Sequence, residues 1–320
     1  MKKRTIPVVL LVFLLFSITM TCYAEESHME EIIIPGPNGN VYGVLQLPAG
    51  ETPVPLVILS HGFGGNHTLD LDSAARFVSA GFATYNLDFC GGGFNSRSSG
   101  TMLDMSVLTE AADLNAVIDH FREDARISDI FLWGASQGGF VSAYVSSRRP
   151  EDIRAVVLEF PAIVLQDDSE KRRLPDGTFP EVTNLMGMKI SRKYDEDATS
   201  FDLYDLLPAY TGPVLILHGD KDPIVPLRYS EKAAETYADA RLIVYPGQGH
   251  GFTGSSKKMR WIRKRPSSSR RKNNRPYFAH PVLYPDPGIW YAFLTVRGSP
   301  IRTKGGHTEC SAWTRPGAQV

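Results

Sequence analysis

A glycine-flanked serine between a strand-like and a helix-like segment constrains the fold of this chain most strongly. The run Phe131–Trp133 consists of strand-forming residues, and the segment Phe140–Ser147 is compatible with a helix. Between them, residues 134–138 are Gly-Ala-Ser-Gln-Gly and fit the pattern G-x-S-x-G. At a sharp strand-to-helix turn of this kind the central Ser exposes its hydroxyl, and glycines avoid collisions with the neighbouring strand and helix. We therefore expect Ser136 at such a turn, close to the N-terminal amides of the helix. The alternative is an ordinary glycine-rich loop.

The chain around this turn alternates between strand-like and helix-like segments. An opening hairpin and a series of buried strands are predicted at Glu31–Ile34, Val41–Leu47, Pro53–Ser60, Phe82–Leu87, Ile130–Trp133, Ile153–Glu159, Val214–His218 and Arg241–Tyr245. Helices are predicted between them at Leu69–Ala80, Ser106–Phe121, Ser136–Ser147 and Leu227–Ala238. This alternation predicts an α/β fold with a mostly parallel central sheet and helices on both faces.

One segment, residues 161–207, interrupts the alternation. It is polar, contains the turn sequence Pro175-Asp176-Gly177 and a further proline at Pro180, and shows only short helical stretches. We interpret it as an insertion that forms a small lid over the site.

A serine hydroxyl is a poor nucleophile until a base takes its proton, and that base is usually a His oriented by a carboxylate. On an open α/β sheet such groups lie at the carboxyl ends of strands. The last two predicted strands are followed by loops with Asp220 and Asp222 in the first and His250, flanked by glycines, in the second. The order Ser, acid, His predicts that Ser136, Asp222 and His250 act together. Asp220 is the alternative acid, and His218 is expected to support the acid loop.

Two further glycine-rich loops follow central strands. In the first, His61-Gly62-Phe63-Gly64-Gly65, the glycines let the amide of Phe63 point into the site, where with the amide of Gln137 it would form an oxyanion hole. The alternative is a tight turn without a catalytic role. The second loop, Gly91–Gly93, lacks both the Lys-Ser/Thr of a P-loop and the GxGxxG spacing, so we expect it to serve backbone packing beside the site.

The N-terminus has the features of a signal peptide at residues 1–24. Three basic residues precede the apolar run Ile6–Met20, and Cys22-Tyr23-Ala24 offers small residues for cleavage before Glu25. The alternative, an uncleaved membrane anchor, is disfavoured because the run is short for a membrane span. We therefore expect a secreted or extracytoplasmic protein without a membrane span after cleavage.

The three cysteines, Cys22, Cys90 and Cys310, provide no pair within the body of the chain. A disulfide framework is therefore not indicated. Zinc-site spacing is also absent, and we expect neither a metal nor another cofactor.

Charge divides the chain into an acidic body and a basic tail. Residues 1–254 contain 20 Lys/Arg and 33 Asp/Glu, whereas residues 255–320 contain 14 Lys/Arg and 2 Asp/Glu. The tail lacks apolar helical periodicity. A basic run can bind nucleic acid or an anionic surface. The abrupt change in composition favours a disordered end or a reading-frame change instead, and no nucleic-acid partner is expected.

These motifs together resemble those of the α/β-hydrolases, and within them the bacterial feruloyl/cinnamoyl esterase-like serine hydrolases. The resemblance covers residues 31–252 and is carried by His61–Gly65, Asp88–Gly93, Gly134–Gly138, Gly187–Ser191, Asp197–Tyr204, His218–Pro226 and Gly247–Phe252. It implies an α/β-hydrolase fold with a small lid, Ser136 as nucleophile, Asp222 as acid and His250 as base. It also implies the amides of Phe63 and Gln137 as oxyanion donors. The chain departs from the family after Gly254, where a long amphipathic helix normally closes the fold.

The combined interpretation is one α/β-hydrolase domain at residues 25–254 that hydrolyses a small-molecule carboxylic ester, on feruloyl/cinnamoyl or other short acyl groups. The alternatives are a serine peptidase of the prolyl-oligopeptidase type and a catalytically impaired binding protein of the same fold. The sequence gives neither the acyl preference nor the oligomeric state.

Overall fold

The computed structural model describes residues 27–252 and a strand at residues 260–263. The signal peptide expected at residues 1–24 lies outside the described residues. The tail expected at 255–320 also lies outside them, apart from that one strand.

Eleven strands occur in the described residues: β1 His28–Gly36, β2 Gly39–Leu47, β3 Val54–Ser60, β4 Ala83–Leu87, β5 Ile127–Ala135, β6 Ala155–Glu159, β7 Val182–Leu185, β8 Met188–Ser191, β9 Val214–Gly219, β10 Ala240–Tyr245 and β11 Arg260–Arg263. Nine of them form one sheet in the spatial order β1-β2-β4-β3-β5-β6-β9-β10-β11. The neighbours from β4 to β10 pair in parallel, and β1, β2 and β11 are antiparallel to their neighbours. The predicted, mostly parallel sheet is thereby confirmed.

The α-helices of the described residues are α1 Leu71–Ser79, α2 Val107–Arg122, α3 Gln137–Arg148, α4 Val164–Glu170, α5 Arg192–Ala198, α6 Leu203–Leu206 and α7 Arg228–Thr236. Short 3-10 turns occur at Leu207–Ala209 and His250–Phe252. The start of α2 is fixed by a reciprocal cap, in which Ser106 Oγ accepts the amide of Thr109 and Thr109 Oγ1 accepts the amide of Ser106. None of the helices in residues 27–252 is long and apolar enough to cross a membrane.

Apolar layers on both faces of the sheet hold the fold together. Helices α2, α3 and α7 pack on one face through residues such as Leu114, Phe140 and Ala233. Helix α1 packs on the other face, where Phe77 contributes to a cluster around Trp133. A large apolar side chain that is fully buried contributes about 1.5–3 kcal/mol to folding, so both layers stabilise the sheet. This arrangement explains why the central strands are continuous apolar runs.

The insertion between β6 and β9 differs from its prediction in one respect. Helices α4, α5 and α6 correspond to the expected short helical stretches, but a hairpin of β7 and β8 was not predicted. Its two-residue turn is Met186-Gly187, and both residues have positive φ, 52° and 88°. A hairpin turn of this kind is normally signalled by Asn-Gly or Asp-Gly, so the Met at its first position hid it. We call residues 161–207 the lid.

Strand β11 is a second difference from the sequence analysis, which expected no regular structure after Gly254. Residues Arg260–Arg263 pair antiparallel with β10 at the edge of the sheet. Pairing of this kind uses backbone groups that any residue except proline provides, so an exposed sheet edge can recruit a segment whose composition does not predict a strand.

Candidate active site

Ser136 lies in the turn between β5 and α3, with φ 52° and ψ −117°. A positive φ is uncommon for a residue other than glycine and stores backbone strain. The turn is held by the amide of Ser136, which donates to the carbonyl of Glu159 at 2.9 Å, and by the amide of Ala162, which donates to the carbonyl of Ser136 at 2.9 Å. The predicted sharp turn at Ser136 is thereby confirmed.

The glycines around Ser136 are required by backbone contacts. A Cβ added to Gly134 would lie 2.3 Å from the carbonyl oxygen of Gly138, and one added to Gly138 would lie 2.2 Å from that of Ser60. A Cβ on Gly62 would lie 3.0 Å from Cβ of Ser136, so the loop after β3 packs directly against the serine. Any side chain at these positions would push strand, helix and loop apart.

His250 connects Ser136 to Asp222. Its Nε2 lies 3.0 Å from Ser136 Oγ, and its Nδ1 lies 2.8 Å from Asp222 Oδ2. The ring of Phe160 contacts the imidazole at a centroid distance of 4.6 Å, and the histidine side chain is 20% exposed. Because the side chain of Asp222 is fully buried, the imidazole is oriented by a carboxylate on one side and meets the serine hydroxyl on the other.

The structure separates the two candidate acids. Asp222 Oδ1 accepts the amides of Ile224 and Val225, each at 2.9 Å, while its Oδ2 faces His250. Asp220 is exposed and accepts the amide of Gly247 at 2.6 Å, so it braces the turn before His250. Asp222 is therefore the carboxylate that the structure brings to the imidazole.

His218 lies beside Asp222, as expected for a residue that supports the acid loop. Its Nε2 is 2.8 Å from the carbonyl of Val225 and 3.4 Å from Asp222 Oδ2, and its Nδ1 is 2.7 Å from Ser230 Oγ. Burial alone raises the pKa of Asp222, but its bonds with His218, His250 and the amide of Val225 outweigh burial and hold that pKa well below its ordinary value. Asp222 is therefore ionised.

Both candidate oxyanion donors are available. The amide of Gly65 donates to the carbonyl of Gly62 at 2.9 Å and closes a four-residue turn in which Phe63 is the second residue. The amide of this second residue takes no part in the turn. Gln137 is the first residue of α3, where amides have no partner within the helix. Among residues 27–252, neither the Phe63 nor the Gln137 amide donates a hydrogen bond to the protein.

The glycine-rich loop at Gly91–Gly93 packs against the loop of Phe63, as predicted. The amide of Gly64 donates to the carbonyl of Gly92 at 3.1 Å, and Gly64 bridges Gly93 in parallel. A Cβ on Gly93 would lie 1.5 Å from the carbonyl oxygen of Gly65, which leaves room only for glycine. This backbone contact fixes the loop that carries the Phe63 amide.

His61 is a buried residue whose place the sequence did not indicate. Its Nε2 accepts the amide of Phe89 at 3.1 Å, and its Nδ1 lies 2.8 Å from the carbonyl of Gly62. Because the carbonyl can only accept, Nδ1 carries the proton and the ring is neutral. Burial lowers the pKa of His61 in agreement with this. His61 therefore ties the loop of Phe63 to the neighbouring strand end.

A second set of residues that the sequence did not single out connects α2, α3 and the lid. The side chain of Gln137 donates to Glu110 Oε2 at 2.9 Å and accepts the hydroxyl of Tyr194 at 2.7 Å. Burial, and to a lesser extent Asp113, raise the pKa of Glu110 well above its ordinary value, although the bond from Gln137 opposes the shift. The helical pattern of α2 contains two acidic residues at core positions, Glu110 and Asp113, and this is the signal that could have drawn attention to them.

The lid lies against the Phe63 loop. The ring of Phe63 contacts that of Tyr194 edge-on at 6.0 Å, and a Cβ on Gly64 would lie 2.6 Å from Cε of Met188. Ser191 Oγ donates to the carbonyl of Leu103 at 2.7 Å. The hairpin is therefore docked on the Phe63 loop and on Leu103 through apolar and polar contacts.

The site offers acid–base and nucleophilic groups together with free amides. Within residues 27–252, no group of three His, Cys, Asp or Glu side chains is arranged to hold a metal ion. A serine hydroxyl on an imidazole, next to two unused amides, is an arrangement suited to acyl transfer.

Comparison with known proteins finds similar hydrolases. The family described as serine aminopeptidase, S33, matches residues 51–200, and the one described as TAP-like protein matches residues 201–260. The monoacylglycerol lipase of Mycolicibacterium smegmatis is 27% identical over 240 residues, which cover 62% of this chain and 81% of the lipase. The human acylamino-acid-releasing enzyme is 24% identical over 219 residues, which cover 64% of this chain and 30% of that longer protein.

A solved structure of Est1E from Butyrivibrio proteoclasticus with bound ferulic acid is similar in fold. The TM-score is 0.65 at 25% identity, and the match covers 69% of this chain and 92% of that chain. This likeness agrees with the resemblance that the sequence motifs indicated. The chain has the α/β-hydrolase fold and resembles the serine hydrolases that share it, and its similarities support a hydrolase of the esterase, lipase or peptidase type.

Proposed function

We propose that this protein is a serine carboxylic-ester hydrolase that works through an acyl-enzyme. Ser136 is the nucleophile, His250 the general base and then the general acid, and Asp222 the carboxylate that orients the imidazole. The amides of Phe63 and Gln137 are the oxyanion donors. The hydrogen-bonded series Asp222–His250–Ser136 at a strained strand-to-helix turn is the observation that carries the proposal.

The reaction follows from this geometry. Ser136 Oγ attacks the ester carbonyl while its proton passes to His250 Nε2, and the carbonyl oxygen becomes an oxyanion that the two free amides stabilise. Ionised Asp222 stabilises the imidazolium that forms. His250 then gives its proton to the leaving alcohol, and a water molecule activated by the same imidazole releases the acid from Ser136. Loss of a single oxyanion donor typically lowers the rate by about 10²–10³.

We propose feruloyl or cinnamoyl esters, or other short acyl esters, as the substrate class. Two features support it: the likeness to Est1E, whose solved structure holds ferulic acid, and the apolar side chains beside the oxyanion loop. Phe63 and the lid residues Leu185 and Met188 lie there. An aromatic or short aliphatic acyl group would match the apolar character of these side chains.

The test is hydrolysis of p-nitrophenyl acetate and of methyl ferulate by the wild-type protein, Ser136→Ala and Ser147→Ala. Ser147 lies in α3 and bonds only the carbonyl of Ala143, so its variant is the matched control for a Ser-to-Ala change. We expect Ser136→Ala to lose at least about 10³-fold in kcat and Ser147→Ala to keep wild-type activity. Turnover of the short ester alone would keep the mechanism and reject the aromatic substrate.

A folded wild-type protein without turnover would favour the third interpretation, a binding protein with an impaired site. Reaction with a fluorophosphonate probe separates the cases, because the probe labels only a serine that its base can activate. Labelling that depends on Ser136 would point to an untested ester substrate. Absence of labelling would reject the enzyme.

A peptidase is the second candidate, because one matching family is described as a serine aminopeptidase and one relative is an acylamino-acid-releasing enzyme. The same three residues would then cleave an amide. Alanine p-nitroanilide and acetyl-alanine p-nitroanilide test this directly. A kcat/KM on either amide that exceeds the value on p-nitrophenyl acetate would favour the peptidase.

We also propose that residues 25–254 form one exported hydrolase unit with the lid at 161–207. Residues 255–320 are then a basic, atypical end, which adds the edge strand β11 to the sheet of that unit. The basic n-region followed by Ile6–Met20 supports export. The intact mass of the protein expressed with its own N-terminus in a bacterium tests it. A chain that begins at Glu25 in the extracytoplasmic fraction is expected, and an uncleaved chain that begins at Met1 would reject the cleavage.

A further inference from the structure

A buried series of side-chain hydrogen bonds connects α2, the residue after Ser136 and the lid. Gln137 Nε2 donates to Glu110 Oε2 at 2.9 Å, and Tyr194 Oη donates to Gln137 Oε1 at 2.7 Å. All three residues are at most 2% exposed, so water does not compete for these bonds. The reaction described above uses only the backbone of Gln137 and leaves its side chain without a role.

The amide side chain of Gln137 has little freedom in this environment. Its Nε2 also faces Met105 Sδ at 3.4 Å, so each polar atom of the amide has a neighbour that the fold supplies. Loss of either Glu110 or Tyr194 as partner leaves a buried polar group unsatisfied, and the side chain then moves to seek another partner. Because Gln137 is the first residue of α3 and its backbone amide has no partner within the helix, we infer that a displaced side chain shifts this amide as well.

The Tyr194 end of this series belongs to the lid. Tyr194 lies in α5, directly after the hairpin strand β8. Its ring contacts the ring of Phe63, the residue whose backbone amide is the other proposed oxyanion donor. The neighbouring Asp195 is fully buried and accepts Arg172 Nε of the segment after α4 at 2.9 Å, which ties the two lid segments together. One tyrosine therefore contacts the residues of both proposed oxyanion donors while the rest of the lid holds it in position.

The Glu110 end carries a carboxyl that faces Asp113 of the same helix and Tyr194 of α5. The ring of His61 is close by, since His61 Cε1 and Glu110 Oε1 both lie within 3.2 Å of the position that a Cβ on Gly92 would take. These neighbours provide no cation, because His61 is neutral. An uncharged carboxyl suits this place, because a negative charge beneath the oxyanion donors would oppose the charge that develops there.

We propose that Glu110 and Tyr194 are positioning residues that act through the side chain of Gln137. They hold its backbone amide where the oxyanion forms, and they make oxyanion stabilisation depend on a docked lid. The inference rests on the esterase function proposed above, in which that amide is an oxyanion donor.

Tyrosine-to-phenylalanine substitutions test the Tyr194 end with p-nitrophenyl acetate as substrate. Tyr194→Phe removes one hydroxyl, and we expect kcat to fall about 10- to 100-fold with KM changed less than about twofold, since misplacement of an oxyanion donor acts on the transition state. Two controls lose a hydroxyl elsewhere. Tyr204→Phe lies in the lid but bonds the carbonyl of Tyr229, and Tyr210→Phe is fully buried but bonds the carbonyl of Ile153. Both are expected to keep wild-type kinetics.

Substitutions of Glu110 test the other end. Glu110→Gln still offers an oxygen to Gln137 and is expected to keep kcat within about threefold, whereas Glu110→Leu removes the acceptor and is expected to lose about as much as Tyr194→Phe. The double variant Glu110→Leu/Tyr194→Phe should be no slower than about the slower single variant, because both changes act through one side chain.

A trifluoromethyl ketone reports on the oxyanion without turnover. Ser136 Oγ adds to its carbonyl carbon, the serine proton passes to His250, and the carbonyl electron pair becomes an oxyanion on the hemiketal. Its inhibition constant should rise in Tyr194→Phe by the factor by which kcat/KM falls, and should stay at the wild-type value in both tyrosine controls.

Four results would overturn the inference. If Tyr194→Phe behaves like its two controls, or if it raises KM at constant kcat, the positioning role is wrong while the esterase stands. Unequal changes in the inhibition constant and in kcat/KM would also reject it. A wild-type protein without Ser136-dependent turnover would overturn both proposals, and the Ser136→Ala comparison identifies that case.

Discussion

Asp222 and Glu110 are both buried carboxyls near Ser136, and the fold shifts their pKa values in opposite directions. The side chain of each is 0% exposed. Asp222 accepts two amides, faces His250 at 2.8 Å and has His218 beside it, and these partners lower its pKa despite burial. Glu110 accepts one hydrogen bond from Gln137, its Oε1 has no partner within the described residues, and burial raises its pKa.

The supply of hydrogen bonds, and not burial itself, therefore decides which of the two carboxyls is charged. An ionised Asp222 can stabilise an imidazolium on His250. A neutral Glu110 can hold Gln137 without placing a second negative charge beside the oxyanion. Acid–base sites often contain two carboxyls whose environments set different protonation states, and here one is connected to the proposed base and the other to a proposed oxyanion donor.

The largest effect is expected when the charge of Asp222 is removed. Asp222→Asn keeps the size of the side chain but withdraws the carboxylate that orients His250, and we expect kcat on p-nitrophenyl acetate to fall about 10³- to 10⁴-fold. Asp220→Asn is the matched control in the same loop, because Asp220 is exposed and bonds only the amide of Gly247. Equal losses in the two variants would mean that the assignment of the acid is wrong.

The next largest effect is expected from a substitution that crowds the neutral carboxyl of Glu110. A Cβ at Gly92 would lie 2.7 Å from Cβ of Phe89 and 3.1 Å from Glu110 Oε1, so Gly92→Ala must displace the loop that contacts Gly64. We expect a loss of about 1–3 kcal/mol in the free energy of unfolding, measured by urea denaturation, and a fall in kcat.

Gly36→Ala is the control for that substitution. Its Cβ would meet its nearest neighbours at 3.4 Å, an ordinary contact, and neither Gly36 nor Gly92 has a positive φ. A Gly92→Ala protein as stable and active as Gly36→Ala would show that the loop near Glu110 is not closely packed.

A third test compares stability across pH. Because the pKa of Glu110 is raised on folding, its contribution to stability is fully present below the pKa of the unfolded chain, about 4.3, and is lost as pH rises toward the folded value. Glu110→Gln removes this loss. Its Tm should equal that of the wild type near pH 4 and exceed it at pH 8. In the pH window where only the folded state keeps the proton, the free energy of unfolding of the wild type should fall by up to about 1.4 kcal/mol per pH unit relative to the variant.

Asp222→Asn should show the opposite dependence. The pKa of Asp222 is lowered on folding, so its contribution is present above about pH 3.9 and is lost as pH falls toward the folded value. The Tm deficit of Asp222→Asn is therefore expected at pH 7 and should narrow in acid. Parallel Tm curves for the two variants between pH 3 and 8 would contradict the opposite shifts.

Sequence patterns predicted the fold well because the elements that build it follow local rules. Continuous apolar runs predicted the parallel strands. The residues at 134–138 predicted the turn at Ser136, because the close backbone contacts of such a turn leave room only for glycine beside the serine. The hairpin β7–β8 was missed because Met186 adopts a positive φ that its residue type does not signal. Strand β11 was missed because pairing at a sheet edge depends on the edge more than on the composition of the added strand.

The candidate site also contains residues that the sequence predicted and residues that it did not. Ser136, Asp222 and His250 were predicted together from their order along the chain, and the structure brings them within hydrogen-bond distance, while their catalytic roles stay predictions until activity is measured. Asp220, two residues before Asp222 in the same loop, stayed open as the alternative acid, because the directions of both side chains depend on the turn that the loop adopts. Glu110 and Tyr194 are 84 residues apart, and nothing local indicates that both contact Gln137.

The smallest effect is expected at Ser230, which bonds His218, the histidine beside Asp222. Nε2 of His218 faces the carbonyl of Val225, which can only accept, so Nε2 carries the proton and Nδ1 accepts the hydroxyl of Ser230. Ser230→Ala removes the hydroxyl that bonds Nδ1 of His218, while Asp222 keeps its bonds to two amides and to His250. One such bond contributes about 0.5–1.5 kcal/mol, and only part of it reaches the imidazole, so kcat should fall no more than about fivefold. Ser147→Ala, which removes a buried hydroxyl that bonds the carbonyl of Ala143 within α3, is the control. A hundredfold loss of kcat in Ser230→Ala would mean that His218 takes part in the proton transfer itself. His218 would then be a second base beside Asp222, and the charge of Asp222 alone would not explain how the site works.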